Sequence, residues 1–243
     1  MSKPVCAIVG AGEGLGKALA AKFAGEGFDL ALISRSQAGS RAAIEAARRV
    51  TAHTKAQFFA ADAGQPETIE RAVGEVADAM GEIEVLIYNV RGDFSPCDPL
   101  DMTYDQLEAV FRLEVVGALA AAKGALPAMR ARGRGSLFFS SATAAYRGSA
   151  SHPHYAIGKF GLRALSQSLA KAYGRDGVHI AHFRLDCDLD VPIMHEIYGE
   201  KAASTSLADP ADVADAYWLT HLQPKGAWSN EVELRPHGEH WTY

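Results

Sequence analysis

Residues 5–17 have the sequence VCAIVGAGEGLGK, in which five apolar residues, Val5 to Val9, run directly into a glycine-rich turn. A short apolar run that stops at glycines is typical of a buried parallel strand. The residues that follow, Leu15 to Phe23, have the apolar spacing of a helix, and Gly25 is a suitable stop signal. The stretch therefore predicts a strand, a tight turn and a helix, which is the first unit of an α/β fold.

The rest of the chain continues this alternation. Further strands are expected at Asp29–Ser34, Ala56–Ala61, Glu84–Tyr88, Ser136–Ser140, Val178–Arg184 and Glu231–Leu234. Further helices are expected at Arg41–Thr51, Pro66–Met80, Thr103–Arg130, Tyr155–Tyr173 and Pro210–His221. Strands that alternate with helices favour a doubly wound parallel sheet with helices on both faces. We expect residues 1–243 to form a single domain, with the long irregular stretch at about 186–208 as its substrate loop.

The glycines of the turn are suited to binding phosphate. Glycine permits positive φ angles and close approach of the backbone, and a following helix offers free N–H groups to a pyrophosphate. A tight turn between a strand and a helix also uses glycine for purely structural reasons, but this context is the one that dinucleotide binding requires. The expected cofactor-binding residues of the turn are Gly10, Gly12, Glu13, Gly14, Leu15 and Gly16.

The end of the second predicted strand bears on the choice of cofactor. It has the sequence Ser34-Arg35, and no Asp or Glu occupies residues 33–38. An acidic residue there would bind the ribose hydroxyls of NAD, whereas a nearby Arg accommodates the 2′-phosphate of NADP. The sequence therefore favours NADP(H) over NAD(H), with a solvated surface arginine as the alternative interpretation of Arg35.

Tyr155 and Lys159 are the main candidates for catalysis. Residues four apart share a face of a helix, so the phenol and the ammonium are expected side by side. A neighbouring cation stabilises phenolate and lowers a pKa that is otherwise about 10. Tyr155 could then exchange a proton with a substrate oxygen. The preceding strand ends in Ser140-Ser141, and we expect Ser141 to hold that oxygen, with Ser140 and Thr143 as possible substitutes.

These three features together resemble the short-chain dehydrogenase/reductase family over essentially the whole chain: the spacing Gly10-x-x-x-Gly14-x-Gly16, the Ser-Ser strand end and the Tyr155-x-x-x-Lys159 helix. The resemblance implies a Rossmann-type sheet of about seven strands. It implies NAD(P)-dependent hydride transfer between a nicotinamide and a carbonyl or alcohol carbon of a small molecule, usually in a homodimer or homotetramer. Lys159 would also bind the nicotinamide ribose hydroxyls.

The resemblance also suggests further cofactor contacts. It places Asp62 at the adenine amino group, for which a helix N-cap is the alternative role, and it adds Ala63, Asn89 and Val90 to the cofactor site. The chain has Tyr88-Asn89-Val90-Arg91 where the family commonly has Asn-Asn-Ala-Gly. Arg91 has three open interpretations: contact with a cofactor phosphate, selection of an anionic substrate, or exposure at the rim of the loop.

A second departure concerns Glu114, which stands where the family has its fourth catalytic residue, an Asn in the long helix. A carboxylate about 6 Å from Lys159 would keep that lysine charged. It would also raise the pKa of Tyr155. Glu114 is therefore a candidate member of the proton relay, and the alternative is a helix carboxylate that faces solvent.

Composition excludes several classes of function. The net charge is −5, without a basic run, so nucleic acid is a poor candidate partner. No apolar stretch approaches the roughly 20 residues that cross a bilayer, so no membrane partner is expected. The widely spaced Cys6, Cys97 and Cys187 form neither a disulfide framework nor a metal signature, which fits the cytoplasm.

An alternative from another class is a non-catalytic NADP-binding sensor or scaffold. It is motivated by Arg91 and Glu114, the two departures from the family pattern at the site. Against it, pure binding would not require Ser141, Tyr155 and Lys159.

Overall fold

The computed structural model describes residues 3–200 and 206–238, which contain a seven-stranded parallel sheet with the order β3-β2-β1-β4-β5-β6-β7. The strands are β1 Val5–Val9, β2 Asp29–Ser34, β3 Ala56–Ala60, β4 Ile83–Tyr88, β5 Ser136–Ala142, β6 His179–Leu185 and β7 Glu231–Leu234. The predicted doubly wound parallel sheet is confirmed. The largest difference at a strand end is in β5, which continues to Ala142 and so contains Ser141.

Helices cover both faces of this sheet. They are α1 Leu15–Gly25, α2 Gln37–Val50, α3 Pro66–Met80, α4 Tyr104–Phe111, α5 Gly117–Arg132, α6 Pro153–Tyr173, α7 Pro192–Tyr198 and α8 Pro210–His221. The buried side chains form two clusters, one beneath α1, α2 and α8 and the other beneath α3, α5 and α6. The central strands β1, β2 and β4 are thus buried from both sides, which explains why they are almost continuously apolar, whereas the edge strand β7 is partly exposed.

The long helix expected at Thr103–Arg130 is not regular throughout, and in that respect the prediction is wrong. Residues Arg112–Val116 form a π-helical turn, in which the N–H of Gly117 donates to the carbonyl oxygen of Arg112, five residues earlier. The Tyr88 hydroxyl donates to the carbonyl oxygen of Leu113 inside this turn. A Cβ on Gly117 would lie 2.4 Å from that hydroxyl oxygen, so only glycine fits beside it. Helix periodicity in the sequence does not reveal such a local insertion.

The stretch at 186–208 was expected to be irregular, but it contains helix α7. Pro192 is in the first turn of α7, where its missing N–H is not needed. The Tyr198 hydroxyl donates to Asp188, and a parallel bridge joins Leu189 to Ala208. Residues 201–205 of the stretch lie outside the described residues.

The first and fourth strands are neighbours at the point where the strand order reverses. In open α/β sheets, ligands bind in the crevice beyond the carboxyl ends of the strands at this position. Backbone hydrogen bonds fix the residues that follow β1 and β4 at this crevice. The Gly10 N–H donates to Ile33 O at 2.9 Å, and the Asn89 N–H donates to Val9 O at 2.8 Å. Within the described ranges, no helix has the length and apolar character needed to span a bilayer.

Candidate active site

A cavity of about 640 Å³ opens beyond the carboxyl ends of β1, β4, β5 and β6. Most of the predicted site residues line it. They are Gly10, Gly12, Gly14, Leu15, Gly16, Asn89, Val90, Arg91, Ser141, Tyr155 and Lys159. The remaining predicted residues, Glu13, Arg35, Asp62, Ala63 and Glu114, are not part of its wall. One concave site therefore brings together the glycine turn and the Ser-Tyr-Lys group.

The glycine turn is shaped by close backbone packing. Gly10 has a φ of +87°, and a Cβ there would lie 2.5 Å from the carbonyl oxygen of Asn89. A Cβ on Gly16 would lie 2.7 Å from the carbonyl oxygen of Gly10. The side-chain amide of Asn89 donates to that same Gly10 oxygen at 3.0 Å. By contrast, a Cβ on Gly12 would meet no atom within 4 Å, so Gly12 leaves open space in front of the turn.

Arg35 and Asp62 are at the ends of the neighbouring strands. Arg35 is exposed directly after β2. Asp62 follows β3, and its Oδ1 accepts the Gly64 N–H at 2.9 Å. The N-cap of α3 is Gln65, so Asp62 is not the helix cap that was its alternative role. Both residues thus follow strands at the same carboxyl edge of the sheet as the glycine turn, and neither lines the cavity.

Three hydroxyls were candidates to hold a substrate oxygen, and the structure distinguishes them. The Ser140 hydroxyl is 2.8 Å from the Tyr217 hydroxyl, and the Thr143 hydroxyl donates to Asp186. The Ser141 Oγ is buried and has no hydrogen-bond partner among the described residues. A buried polar atom without a partner is costly unless a ligand or water satisfies it. Ser141 is therefore the hydroxyl that is available to the cavity.

Lys159 and Glu114 form a direct buried ion pair. The Lys159 Nζ donates to Glu114 Oε2 at 2.7 Å, and their side chains are 3% and 0% exposed, respectively. The expected separation of about 6 Å was too large, and Glu114 does not face solvent. The other carboxylate oxygen accepts the Gly92 N–H at 2.6 Å. Glu114 thus links the loop after β4 to the N-terminal half of α6.

Lys159 is also close to the tyrosine and to the ends of two strands. Its Nζ is 5.5 Å from the centroid of the Tyr155 ring. It is 3.4 Å from the carbonyl oxygen of Val90, which follows β4, and 3.4 Å from that of Ser140, which lies near the end of β5. The helix face shared by Tyr155 and Lys159, as predicted from their spacing, therefore points toward the cavity.

The ionisation of the pair follows from burial and charge. Burial raises the pKa of the Tyr155 phenol above its ordinary value of 10, Lys159 opposes this rise, and Glu114 adds to it. The sequence predicted the direction of each charge effect but not that burial would outweigh the lysine. Burial lowers the pKa of Lys159, but the Glu114 carboxylate more than compensates, so the lysine pKa is raised. The ammonium is therefore charged at neutral pH.

One aromatic side chain at the cavity, that of Phe94, was not identified from the sequence. Phe94, in the loop after β4, stacks on His152 with ring centroids 4.1 Å apart and an interplanar angle of 8°. The same ring packs against Tyr155 edge to face at 4.9 Å. We call Phe94, His152 and Tyr155 the aromatic wall. The signal in the sequence was a single aromatic residue in a polar loop, which periodicity does not place.

Asp186 also lies in the cavity wall and is almost fully buried. It accepts hydrogen bonds from the Thr143 hydroxyl and from the guanidinium of Arg235, which follows β7. These contacts connect the segments that follow β5, β6 and β7. Asp186 therefore holds these three segments together at one side of the cavity wall. Among the described residues, no group of three or more His, Cys, Asp or Glu is arranged to hold a metal ion.

This combination of a parallel sheet, a glycine turn at its switch point and a buried Tyr-Lys pair defines a nicotinamide-dependent oxidoreductase. Residues 4–185 match the family model described as short chain dehydrogenase. The chain therefore belongs to the short-chain dehydrogenase/reductase family, whose members are NAD(P)-dependent oxidoreductases.

Individual proteins support this assignment. A short-chain dehydrogenase/reductase of Armillaria gallica is 26% identical over 229 residues, which cover 86% of this chain and 85% of that protein. A crystal structure of a short-chain dehydrogenase from Rhodopseudomonas palustris is 30% identical, with a TM-score of 0.81, and covers 96% of this chain and 99% of that one. A metagenomic short-chain oxidoreductase in complex with NADP has 23% identity, a TM-score of 0.83 and coverage of 97% and 98%.

Proposed function

We propose that the protein is an NADPH-dependent reductase of the carbonyl reductase or alcohol dehydrogenase type. The observation that carries this proposal is the partnerless buried hydroxyl of Ser141, which lies in the same cavity wall as Tyr155 and Lys159. A hydroxyl and a phenol that face one cavity can together hold and protonate a single substrate oxygen.

The residues present fit a dinucleotide. Gly10 and Gly16 allow the close packing of the protein backbone that shapes the turn, and Gly12 leaves the space in front of the turn open. The pyrophosphate would lie on this turn at the N-terminus of α1. The 2′-phosphate would lie against Arg35, which stands where an NAD enzyme would carry an acid. The family member that was crystallised with NADP supports this choice.

Further residues would complete the cofactor site. Asp62 and Ala63 would contact the adenine, and Glu13 and Leu15 belong to the turn itself. Asn89 holds the turn through its bond to Gly10. Val90 follows it along the cavity wall toward Tyr155.

The catalytic roles follow from these positions. When bound, NADPH supplies a hydride to a carbonyl carbon. Ser141 donates a hydrogen bond to the substrate oxygen, and Tyr155 donates its proton to that oxygen. The raised pKa of Tyr155 keeps the phenol protonated at neutral pH, which suits reduction. Lys159 compensates the negative charge that Tyr155 acquires, and it would bind the nicotinamide ribose hydroxyls when the cofactor is present.

Glu114 takes a role in this relay through Lys159. Its carboxylate holds the ammonium in place and charged, because the two groups are 2.7 Å apart in a buried setting. Glu114 does not line the cavity, so it acts on Tyr155 through Lys159 and through its own negative charge.

The test is consumption of NADPH, followed by its absorbance, with a panel of aldehydes, ketones and quinones. We expect turnover of some members, a loss of about 100-fold or more in kcat in Tyr155→Phe, and nearly unchanged NADPH affinity. Tyr104→Phe, which removes the hydroxyl of an 87% exposed tyrosine, is the matched control. Tight NADPH binding without turnover of any compound would refute the proposal and favour a cofactor-binding sensor or scaffold.

We also propose that residues 1–243 act as one NAD(P)-binding domain in the cytoplasm, with 186–208 as the substrate loop. We propose assembly as a homodimer or homotetramer. The support for assembly is the exposed apolar side chains of α4, α5 and α6, which are Phe111, Leu119, Ile157 and Phe160. Light scattering after size exclusion would test it, and a monomer at micromolar concentration would contradict it.

A further inference from the structure

Arg91 is a cation at the cavity wall that has aromatic rather than acidic neighbours. Its guanidinium carbon is 5.8 Å from the centroid of the Phe94 ring, and the residue is exposed. Within residues 3–200 and 206–238, no carboxylate oxygen lies within the 4.0 Å of an ion pair with it. The charge of Arg91 is therefore not compensated by a direct partner in the described chain.

The aromatic wall places Arg91 at the reacting end of the cavity. Phe94 is in contact with Arg91 and also packs edge to face on Tyr155 at 4.9 Å. Arg91 is close enough to oppose, together with Lys159, the rise that burial causes in the pKa of Tyr155. A group bound by Arg91 would therefore be near the substrate oxygen, whereas the pyrophosphate position is at the glycine turn after β1.

Three other charged side chains in the cavity wall already have partners within the protein. Lys159 is paired with Glu114, and Asp186 with Arg235. Asp188 opposes an anion, but one of its oxygens accepts the Tyr198 hydroxyl of α7. Arg147 adds a second positive charge to the same wall. Arg91 is thus the charged side chain in this wall that is best placed to bind an anionic group from outside.

We propose that the substrate is an anionic carbonyl compound, whose carboxylate or phosphate is bound by Arg91 and whose adjacent carbon chain packs on Phe94. This inference rests on the proposed function, because the carbonyl must reach Tyr155 and Ser141. A guanidinium is suited to the task, since its fork of N–H groups matches a carboxylate or a phosphate. Phe94, stacked on His152, presents a rigid flat surface beside that fork.

The first test compares matched anionic and neutral carbonyl compounds. The pairs are oxo acids of increasing chain length with their methyl esters, and hydroxyacetone phosphate with hydroxyacetone; the two series distinguish a carboxylate from a phosphate. We expect kcat/KM to be about 10-fold or more higher for the anionic member of at least one pair. In Arg91→Met that advantage is lost, because kcat/KM for the anionic member falls to about that of its neutral partner.

Two further variants sharpen this comparison. Arg91→Lys should retain part of the preference, because the charge remains but the fork is lost. Arg71→Met, which removes a 64% exposed arginine on α3, should leave the preference unchanged. Equal rates for both members of every pair in the wild type would overturn the proposal. So would a tenfold rise in KM for NADPH in Arg91→Met with an unchanged preference, because it would assign Arg91 to the cofactor.

A binding measurement separates this proposal from the proposed function. The NADP⁺-loaded protein is titrated calorimetrically with levulinate, with the phosphate of hydroxyacetone and with methyl levulinate. Binding of an anion that is about 10- to 100-fold weaker in Arg91→Met supports an anion site even if no compound is turned over. Equal affinity of the wild type for anions and the ester, or no effect of Arg91→Met, overturns it.

Discussion

The Nζ atom of Lys159 lies 2.7 Å from Oε2 of Glu114, and the pair is sealed from solvent. A lysine beside a catalytic tyrosine is usually considered for its effect on the phenol. Here the lysine has an anionic partner of its own, and the carboxylate acts on both groups. It raises the pKa of Lys159 against the effect of burial, and it adds to the rise in the pKa of Tyr155 that burial causes.

Replacement of Glu114 should therefore move the pH profile. In the reductive direction Tyr155 must carry its proton, so kcat falls as the pH rises through the pKa of the phenol. Glu114→Gln removes an anion that raises this pKa, and we expect the falling limb of kcat against pH to move to lower pH. The measurement is kcat at saturating NADPH across neutral and alkaline pH.

Glu108→Gln is the matched control for this experiment, because Glu108 is an exposed carboxylate in α4, shortly before the π-helical turn. Its profile should coincide with that of the wild type. An unchanged profile in Glu114→Gln would mean that the carboxylate has no influence on the proton transfer.

Alanine substitutions in the glycine turn should separate folding from cofactor binding. Gly10→Ala introduces a Cβ 2.5 Å from the Asn89 carbonyl oxygen at a positive φ, and we expect it to destabilise the protein. Gly12→Ala meets no protein atom within 4 Å. It should leave the urea unfolding midpoint nearly unchanged but weaken NADPH binding, because its methyl group occupies the space in front of the turn. Equal NADPH affinity in Gly12→Ala and wild type would contradict this position for the pyrophosphate.

The choice between the two cofactors should depend on Arg35. Arg35→Asp replaces the cation expected to bind the 2′-phosphate with an acid that suits ribose hydroxyls, so we expect the ratio of kcat/KM for NADPH to that for NADH to fall by about 100-fold. Arg49→Asp, at a 79% exposed arginine of α2, makes the same charge change away from the site. A wild-type protein that already prefers NADH would disprove this role of Arg35.

Glu231 joins the edge strand β7 to its neighbours, and its carboxylate should make the free energy of unfolding depend on pH in the acidic range. Glu231 accepts hydrogen bonds from Arg163 and Gln167 of α6 and pairs with His182 of β6. Burial raises the pKa of Glu231, but these partners outweigh it and lower the pKa from 4.5 to about 2. The stability it contributes is complete above its unfolded pKa and is lost as the pH falls through its folded pKa.

This contribution can be isolated with Glu231→Gln. The difference in free energy of unfolding between wild type and this variant should be constant above about pH 5 and shrink between about pH 5 and 2. Urea titrations at several pH values measure it. Glu45→Gln, at a 52% exposed carboxylate of α2, should show no such change. A difference that is the same at every pH would contradict the lowered pKa.

Much of the fold was predictable because its signals are local. Buried strands such as Val5–Val9 are continuous apolar runs, and the turn after them contains glycines that a tight bend requires. Helix α7 was missed because seven residues with a mixed apolar and polar pattern, Pro192–Tyr198, do not show periodicity. The π-helical turn was missed because Arg112–Val116 keeps a nearly helical apolar spacing.

The site was predictable where residues are close in sequence and less so where they are distant. Tyr155 and Lys159 are four apart on one helix, so their shared face follows from helix geometry. The direct contact of Glu114 with Lys159 depends on how two helices pack, and the stacking of Phe94 on His152 depends on how a loop folds back. Neither distance is encoded in a local pattern. The resemblance to a known family indicated that Glu114 is near the site but not that it forms an ion pair.

The π-helical turn at Arg112–Val116 determines how the side chains before it are rotated about the helix axis relative to those of α5. One residue of a regular helix corresponds to about 100° of rotation. Removing a single residue from this turn would let the hydrogen bonds return to the ordinary spacing, but it would rotate Glu114 relative to α5 by roughly that angle. The helix would become more regular, but the Glu114 carboxylate would no longer lie within ion-pair distance of Lys159. A regular α-helix in this segment would therefore separate the two groups, and the π-helical turn is what places the Glu114 carboxylate against the Lys159 ammonium.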